Sequence, residues 1–224
     1  MALPAGIHAL PQTVEQGEQS TAVHPAAVET GDGVLLVDTG FPGQSGQLES
    51  ALADAGFDWE AVTGVILTHQ DGDHAGSLAT VVEKTDATVY AHERCVPYVD
   101  GRKDQIKSPD CERYPPAEVA VELVDGVTFR TVAGPMEVLF TPGHTPGHIS
   151  LYFPAESFLL AGDALTATDG RLRGPSERYS LEMDEALDSA QALADRDIDQ
   201  VLCYHGGLVA DGDDHIARLL DGLR

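Results

Sequence analysis

Lysine is scarce in this chain. Lys84, Lys103 and Lys107 are the whole complement; with ten arginines they make 13 cations against 37 acidic residues, a net charge of −24. So negative a surface repels phosphate backbones and argues against nucleic acid as a partner. The charge does not imply disorder, because the apolar content is that of a globular protein. Scattered acid with little lysine has two readings. One is a protein kept soluble in high salt, where screening shortens to roughly 3 Å at 1 M; the other is an ordinary acidic cytosolic protein. A halophilic source is the expectation. Cysteine is scarce too. Cys95, Cys111 and Cys203 are odd in number, and no pair has CxxC spacing. Neither a disulfide framework nor a zinc knuckle is indicated. No run approaches eighteen apolar residues, so no membrane-spanning helix is expected. Met1 to Leu10, with Pro4 and His8, lacks a basic region and an apolar core, which predicts no signal peptide and a cytoplasmic location. At 224 residues the chain reads as one domain, 1–224.

What is present alternates strands with helices. Thr21 to Glu29 and Val34 to Asp38 flank Gly31-Asp32-Gly33, a hairpin signal. Gln44 to Ala55 carries Leu48, Ala51, Leu52 and Ala55 at helical spacing, and Gly56 ends it. Val62 to Leu67 reads as a buried strand, Ser77 to Lys84 as a helix and Thr88 to Ala91 as a strand. Residues 94–118 hold four prolines and many charges and read as a surface excursion. Strands then follow at Val119 to Val124 and Val127 to Val132 about an Asp125-Gly126 turn, and at Met136 to Phe140. Ile149 to Phe153 and Ser157 to Ala161 form a natural pair. A polar loop over 164–178 leads to a helix from Leu181 to Ala194, a last strand from Val201 to Tyr204, and a short helix from about Asp213. The expected fold class is α/β, with two mixed sheets packed together and helices outside.

Thr68-His69-Gln70-Asp71-Gly72-Asp73-His74 directly follows the buried strand at Val62 to Leu67. Four of its seven residues carry imidazole or carboxylate, the donors that zinc, manganese and iron take. Alone, the stretch also reads as a solvated acidic loop with Asp73 capping a helix. Further candidates lie just past other predicted strands: His144, Asp163 and His205. Seven N/O donors exceed what one zinc ion takes and suit two ions. His8, His24, His92 and His215 lack such a motif and read as surface or core residues, and Tyr204 as core.

These elements resemble the metallo-β-lactamase-fold superfamily of hydrolases. That family carries T-H-x-H-x-D-H after a strand, then a Gly-His, a Gly-Asp and a C-terminal His. Thr68 to His74, Gly143-His144, Gly162-Asp163 and His205 occur here in that order, preceded by Asp38-Thr39-Gly40. The resemblance covers about residues 20–210 and implies a four-layer αββα sandwich. It implies that His69, Asp71 and His144 hold one divalent metal, that Asp73, His74 and His205 hold a second, and that Asp163 bridges them. Asp71 departs from the family's usual residue at that position, which is histidine. A carboxylate is a harder ligand and opens manganese or iron beside zinc. By the same resemblance, a bridging water is deprotonated near neutral pH and attacks a carbonyl, with Asp73 as the catalytic carboxylate. Asp38 and Thr68 are expected to hydrogen-bond the ligands rather than bind metal. His148 has two readings, as a hydrogen-bond donor behind the metal ligands or as a turn cap.

The substrate is less constrained. Thr141 to His148 is similar to the same stretch of glyoxalase II-type thioester hydrolases, which favours a thioester; a lactone is the nearest alternative. Those enzymes carry a helical C-terminal extension, against about twenty residues after His205 here, so a glutathione-specific enzyme is not expected. An iron-dependent oxidoreductase acting on a persulfide or oxygen is the rival class. Residues 94–113 sum to +1 and residues 171–178 to +2, against −27 elsewhere. These two segments read either as merely charged loops or as a rim that draws a small anionic acyl substrate, with Arg171 and Arg173 as its contacts. A homodimer is compatible with the sequence.

Overall fold

The computed structural model describes residues 2–16, 19–107, 112–210 and 212–221; Asp110, Cys111 and the His215 side chain lie outside the described residues. Two six-stranded mixed sheets dominate. The first has the order β1 (Ile7–Ala9), β4 (Ala26–Glu29), β5 (Val34–Val37), β6 (Val62–Leu67), β7 (Thr88–His92), β8 (Val121–Leu123). The second has the order β16 (Gly207–Ala210), β15 (Gln200–Cys203), β12 (Phe158–Gly162), β11 (Ile149–Phe153), β10 (Gly134–Phe140), β9 (Thr128–Thr131). Two hairpins stand apart, β2 (Gln12–Gln16) with β3 (Gln19–Val23), and β13 (Thr166–Thr168) with β14 (Arg171–Arg173).

Successive side chains of a strand point to opposite faces, so a strand buried on both faces reads as an unbroken apolar run. β5 is such a run. Val34 and Leu36 pack with Leu48 and Leu52 of α1 (Ser45–Asp54) and with Leu78 and Val81 of α3 (Leu78–Thr85). Leu35 and Val37 face the other way and pack with Val138, Leu151 and Leu160 of the second sheet. β12 repeats the pattern. Phe158 and Leu160 join the core between the sheets, while Leu159 and Ala161 pack with Ala190 and Leu193 of α5 (Met183–Ala194) and Leu220 of α6 (Gly212–Asp221). Three apolar layers thus separate four layers of structure, helix–sheet–sheet–helix. This is the expected αββα sandwich.

Several boundaries differ from the sequence reading. The strand expected from Thr21 to Glu29 is two strands, interrupted at His24-Pro25. Asp125-Gly126 does not close a hairpin. β8 belongs to the first sheet and β9 to the second, so this turn carries the chain between sheets. The 94–118 segment is only partly a surface excursion. It holds a one-turn helix, α4 (Val96–Val99), and its Cys95, Val96, Val99 and Tyr114 are buried in the first core. The segment 164–178 is a loop only in part, because β13 and β14 pair about Asp169-Gly170 while 174–178 stays irregular. Both turn residues have positive φ, 53° and 69°, as a two-residue hairpin turn of the primed type requires. No helix among the described residues is long and apolar enough to cross a membrane.

Candidate metal centre

The sheet topology gathers the candidates. Each sheet contains parallel neighbours, β5 with β6 in the first and β12 with β15 in the second. Parallel strands end at the same edge, the usual place for a site in mixed α/β proteins. Asp38 follows β5, His69 follows β6, Asp163 follows β12, and His205 lies two residues past β15. His144 sits in the connection after β10. Asp73 and His74 lie on a one-turn helix, α2 (Gly72–Ala75). Asp71 takes the cap position of that turn, but its carboxylate makes no capping bond and is turned to the site instead. The two sheets meet here: the Ile149 amide, at the start of β11, donates to the Thr68 carbonyl at 2.9 Å.

Two glycines shape the ligand-bearing turns. Gly143 has φ +118°, and a Cβ there would lie 2.1 Å from the Ala186 amide of α5. Gly162 has φ +55°, and a Cβ there would lie 2.6 Å from His148 Nε2. A side chain at either position would meet both backbone strain and collision, displacing the His144 or Asp163 that follows.

All seven candidates converge. Their donor atoms form three overlapping groups, each within 4.8 Å: His69, Asp71 and His144; His69, His74 and Asp163; and Asp73, His74 and His205. His69 Nε2 and His144 Nε2 each lie 3.4 Å from Asp71 Oδ2. His74 Nε2 lies 3.4 Å from Asp163 Oδ1, and His205 Nε2 lies 3.1 Å from Asp73 Oδ2. Asp163 Oδ2 is 3.3 Å from His144 Nε2 and 3.4 Å from His205 Nε2, so this carboxylate faces both ends of the cluster.

The residues beneath fix the direction of these donors. Asp38, 1% exposed and at φ 63°, accepts from the Thr68 amide, the Thr68 hydroxyl and His74 Nδ1, each at 2.8 Å. With its proton given to Asp38, the Thr68 hydroxyl can accept from His69 Nδ1 at 3.1 Å. Both imidazoles are therefore protonated at Nδ1, which turns their Nε2 atoms to the cluster. His148 is fully buried. Its Nε2 accepts from the Asp163 amide at 2.8 Å, while Nδ1 faces Thr141. It positions the Asp163 backbone rather than capping a turn.

Charge in the cluster is unbalanced. Burial, then the neighbouring His74, lowers the His69 pKa to about 4, so this ring is neutral. Burial opposes charge on Asp71, but His69, His144 and Lys107 outweigh it and hold the carboxyl well below the usual range. Burial likewise opposes charge on Asp163, and His74 and His205 outweigh it. His74 is held well above its ordinary value by Asp163, Asp38 and Asp73 against the effect of burial. His205 is raised to about 9 against burial, by Asp163 and Asp73. Burial, with His69 and His144, keeps His148 well below the ordinary imidazole value, as its acceptor role requires.

Whether the donor set fits metal ions is answered by three atoms. His69 Nε2, His74 Nε2 and Asp163 Oδ1 are buried and make no hydrogen bond. Unpartnered buried polar atoms cost about 1–3 kcal/mol each. Here all three belong to one cluster of imidazole nitrogens and carboxylate oxygens, a set suited to divalent ions of the zinc group.

Three neighbours had no signal in the sequence motif. Lys107 Nζ lies 2.8 Å from Asp71 Oδ2 and 2.7 Å from His144 Nε2. Tyr204 stacks on His74 with centroids 3.6 Å apart, and its hydroxyl donates to the Asp73 carbonyl. It is buried, as expected, but it also pins the centre. Tyr114 donates to the Gln70 carbonyl at 2.7 Å. Arg171 and Arg173 lie on the exposed side of β14, while Leu172 between them enters the third core. The hairpin adjoins the centre through its backbone, since the Ala167 amide donates to the His205 carbonyl at 2.8 Å.

Residues 22–205 match the family model described as the metallo-beta-lactamase superfamily. The chain belongs to that superfamily. One superfamily relative is a probable metallo-hydrolase, YybB, of Bacillus subtilis (strain 168). It is 30% identical over 173 residues, covering 76% of this chain and 74% of the relative. Another is a hydroxyacylglutathione hydrolase of Pseudomonas aeruginosa (strain LESB58), 35% identical over 133 residues, or 58% of this chain and 43% of that enzyme. A crystal structure of a metallo-beta-lactamase family protein from Thermus thermophilus superposes with a TM-score of 0.78 at 25% identity, covering 99% of this chain and 80% of the other.

Proposed function

We propose that this protein is a binuclear metal-dependent hydrolase that cleaves a thioester or similarly activated acyl bond in a small anionic molecule. The supporting observation is the cluster itself: seven donor residues in three overlapping groups, more than one catalytic zinc ion would use. His69, Asp71 and His144 would hold one ion, and Asp73, His74 and His205 the other, with Asp163 between them. Two divalent ions held there would supply a Lewis acid and an activated water at neutral pH.

The chain's own residues do the rest. Asp38 and Thr68 keep the Nε2 lone pairs of His74 and His69 directed inward. His148 holds the Asp163 backbone. Asp73 is the most exposed of the cluster's carboxylates, with 24% of its side chain accessible. Of the cluster's three carboxylates it is the one with most access to solvent, where it would orient the attacking water. The relative named hydroxyacylglutathione hydrolase favours a thioester, because an S-acylglutathione is one. That likeness spans less than half of that enzyme, so its thiol is not carried over. Lys107 and the exposed Arg171 and Arg173 favour an anionic substrate.

Elemental analysis of protein purified without added metal, paired with turnover of thioester and lactone panels, tests this reading. About two zinc or manganese ions per chain with thioester turnover is the expected result. Turnover of lactones alone would make it a lactonase. The Asp71 carboxylate supports a second reading, an iron enzyme. About one iron per chain and no hydrolysis would favour persulfide or oxygen chemistry instead.

Loading should also be linked to protons. In the metal-free protein His74 and His205 are protonated at pH 7, and each must give up its Nε2 proton to bind an ion. Loading at pH 7 is therefore expected to release about two protons per chain from these imidazoles, and one more from a water that the ions ionise. Apparent affinity should rise with pH from 6 to 9, because both imidazoles are held above their ordinary values, His205 at about 9. Calorimetric titration in buffers of different ionisation enthalpy measures the release. An apparent affinity flat between pH 6 and pH 9 would contradict it.

A further inference from the structure

Lys107 is the one lysine of three that reaches the cluster's donor atoms at hydrogen-bond distance among the described residues. Its ammonium has only hydrogens to give, so at 2.7 Å from His144 Nε2 it donates to that nitrogen's lone pair, and at 2.8 Å it pairs with Asp71 Oδ2. These are two of the three donor atoms proposed for the first ion. The lone pair of His144 Nε2 serves one partner at a time, a proton or a metal. The side chain is largely enclosed, 21% exposed.

The segment that carries Lys107 is tethered. The Lys103 amide donates to the Pro97 carbonyl at 2.7 Å. Arg113 donates to the carbonyls of Lys103, at 2.9 Å, and of Tyr98 and Val99. The Lys103 ammonium lies over the Tyr98 ring at 5.2 Å. The chain is thus fixed to α4 at Lys103, and the four residues that follow form a short arm ending over Asp71. Asp71 is also where this sequence departs from the family motif it resembles. A carboxylate there gives the ammonium a counter-charge that a neutral imidazole would not.

We infer that Lys107 is a built-in competitor for the first metal position, so that the two ions are held with unequal strength and the Asp71 side empties first. The inference rests on the binuclear reading above. Nothing comparable opposes the second ion: the rings and carboxylates of Asp73, His74 and His205 meet no lysine or arginine nitrogen in ion pairs among the described residues.

The test strips metal from the zinc-loaded protein with increasing chelator and counts the ions retained by elemental analysis, for wild type, Lys107→Met and Lys107→Arg. Wild type is expected to lose one ion well before the other. Lys107→Met should tighten the weaker dissociation constant by about tenfold or more, because the competing contact is a charge-assisted hydrogen bond, and leave the tighter constant within about twofold. Lys107→Arg keeps a cationic donor and should keep the two constants apart. Two indistinguishable constants in wild type would overturn the inference while leaving the binuclear reading standing. So would an equal shift of both constants in Lys107→Met, which marks a general charge effect rather than competition. A single ion per chain at saturating zinc in all three proteins would overturn the binuclear reading, and this inference with it.

Discussion

Asp163→Ala is expected to lower kcat/KM on the proposed acyl substrate by about 10³-fold or more, and to reduce the zinc retained to one ion or none per chain. The magnitude follows from the several kcal/mol that metal ions contribute to stabilising charge in such transition states, at 1.36 kcal/mol per tenfold. Asp163 stands alone among the seven in facing both ends of the cluster, with His144 at 3.3 Å on one side and His205 at 3.4 Å on the other. Losing any other donor weakens one position, whereas losing this carboxylate weakens both. The substitution spares the scaffold. The position-163 amide still reaches His148, and Gly162 still supplies the turn. His74 and His205 would lose the carboxylate that most raises their pKa values. Steady-state kinetics with elemental analysis reads both effects. Full zinc retention with undiminished activity would rule out Asp163 as the residue between the ions.

Asp38→Asn is the second large expected effect, although this residue touches no proposed ion. Asparagine fits the space and tolerates the positive φ of 63° better than most residues. Its amide, however, has two hydrogens where the carboxylate had lone pairs. One oxygen cannot accept from the Thr68 amide, the Thr68 hydroxyl and His74 Nδ1 together. An NH₂ group facing His74 makes Nδ1 an acceptor and moves the proton to Nε2, against the ion. Metal affinity is expected to fall about 10–100-fold, as when other hydrogen-bond partners of metal ligands are removed. Competition with a chelator measures it. Asp38→Asn with unchanged affinity would mean that His74 does not depend on this partner for its tautomer.

The gathering of the seven side chains was legible because each follows a strand whose apolar run is plain, and because Gly143 and Gly162 mark the turns. The two-sided burial of β5 and β12 was legible for the same reason, as unbroken runs such as Val34-Leu35-Leu36-Val37. Which sheet a strand joins was not. Asp125-Gly126 has the local chemistry of a hairpin, but its flanks pair with different partners, β8 with β7 and β9 with β10. The β13–β14 hairpin did have a signal, Asp169-Gly170 between alternating residues, which the polar character of Thr166, Thr168, Arg171 and Arg173 obscured. Lys107 had none. Its contact with Asp71 and His144 depends on an arm anchored through Arg113, and no periodicity encodes such a reach.

The cluster draws Asp71, Asp73, His69 and His74 from the first sheet and His144, Asp163 and His205 from the second, so its donors straddle the seam between the halves of the sandwich. An ion held there ties residues far apart in the chain and is bound only when the halves are docked. Binding and docking are then thermodynamically linked, each stabilised by the other. Met136 and Phe153, buried in the seam, contribute to ion retention by this route as surely as residues that touch the site. An ion held at this seam would thereby report on the integrity of the whole sandwich, and would be released when the two sheets part.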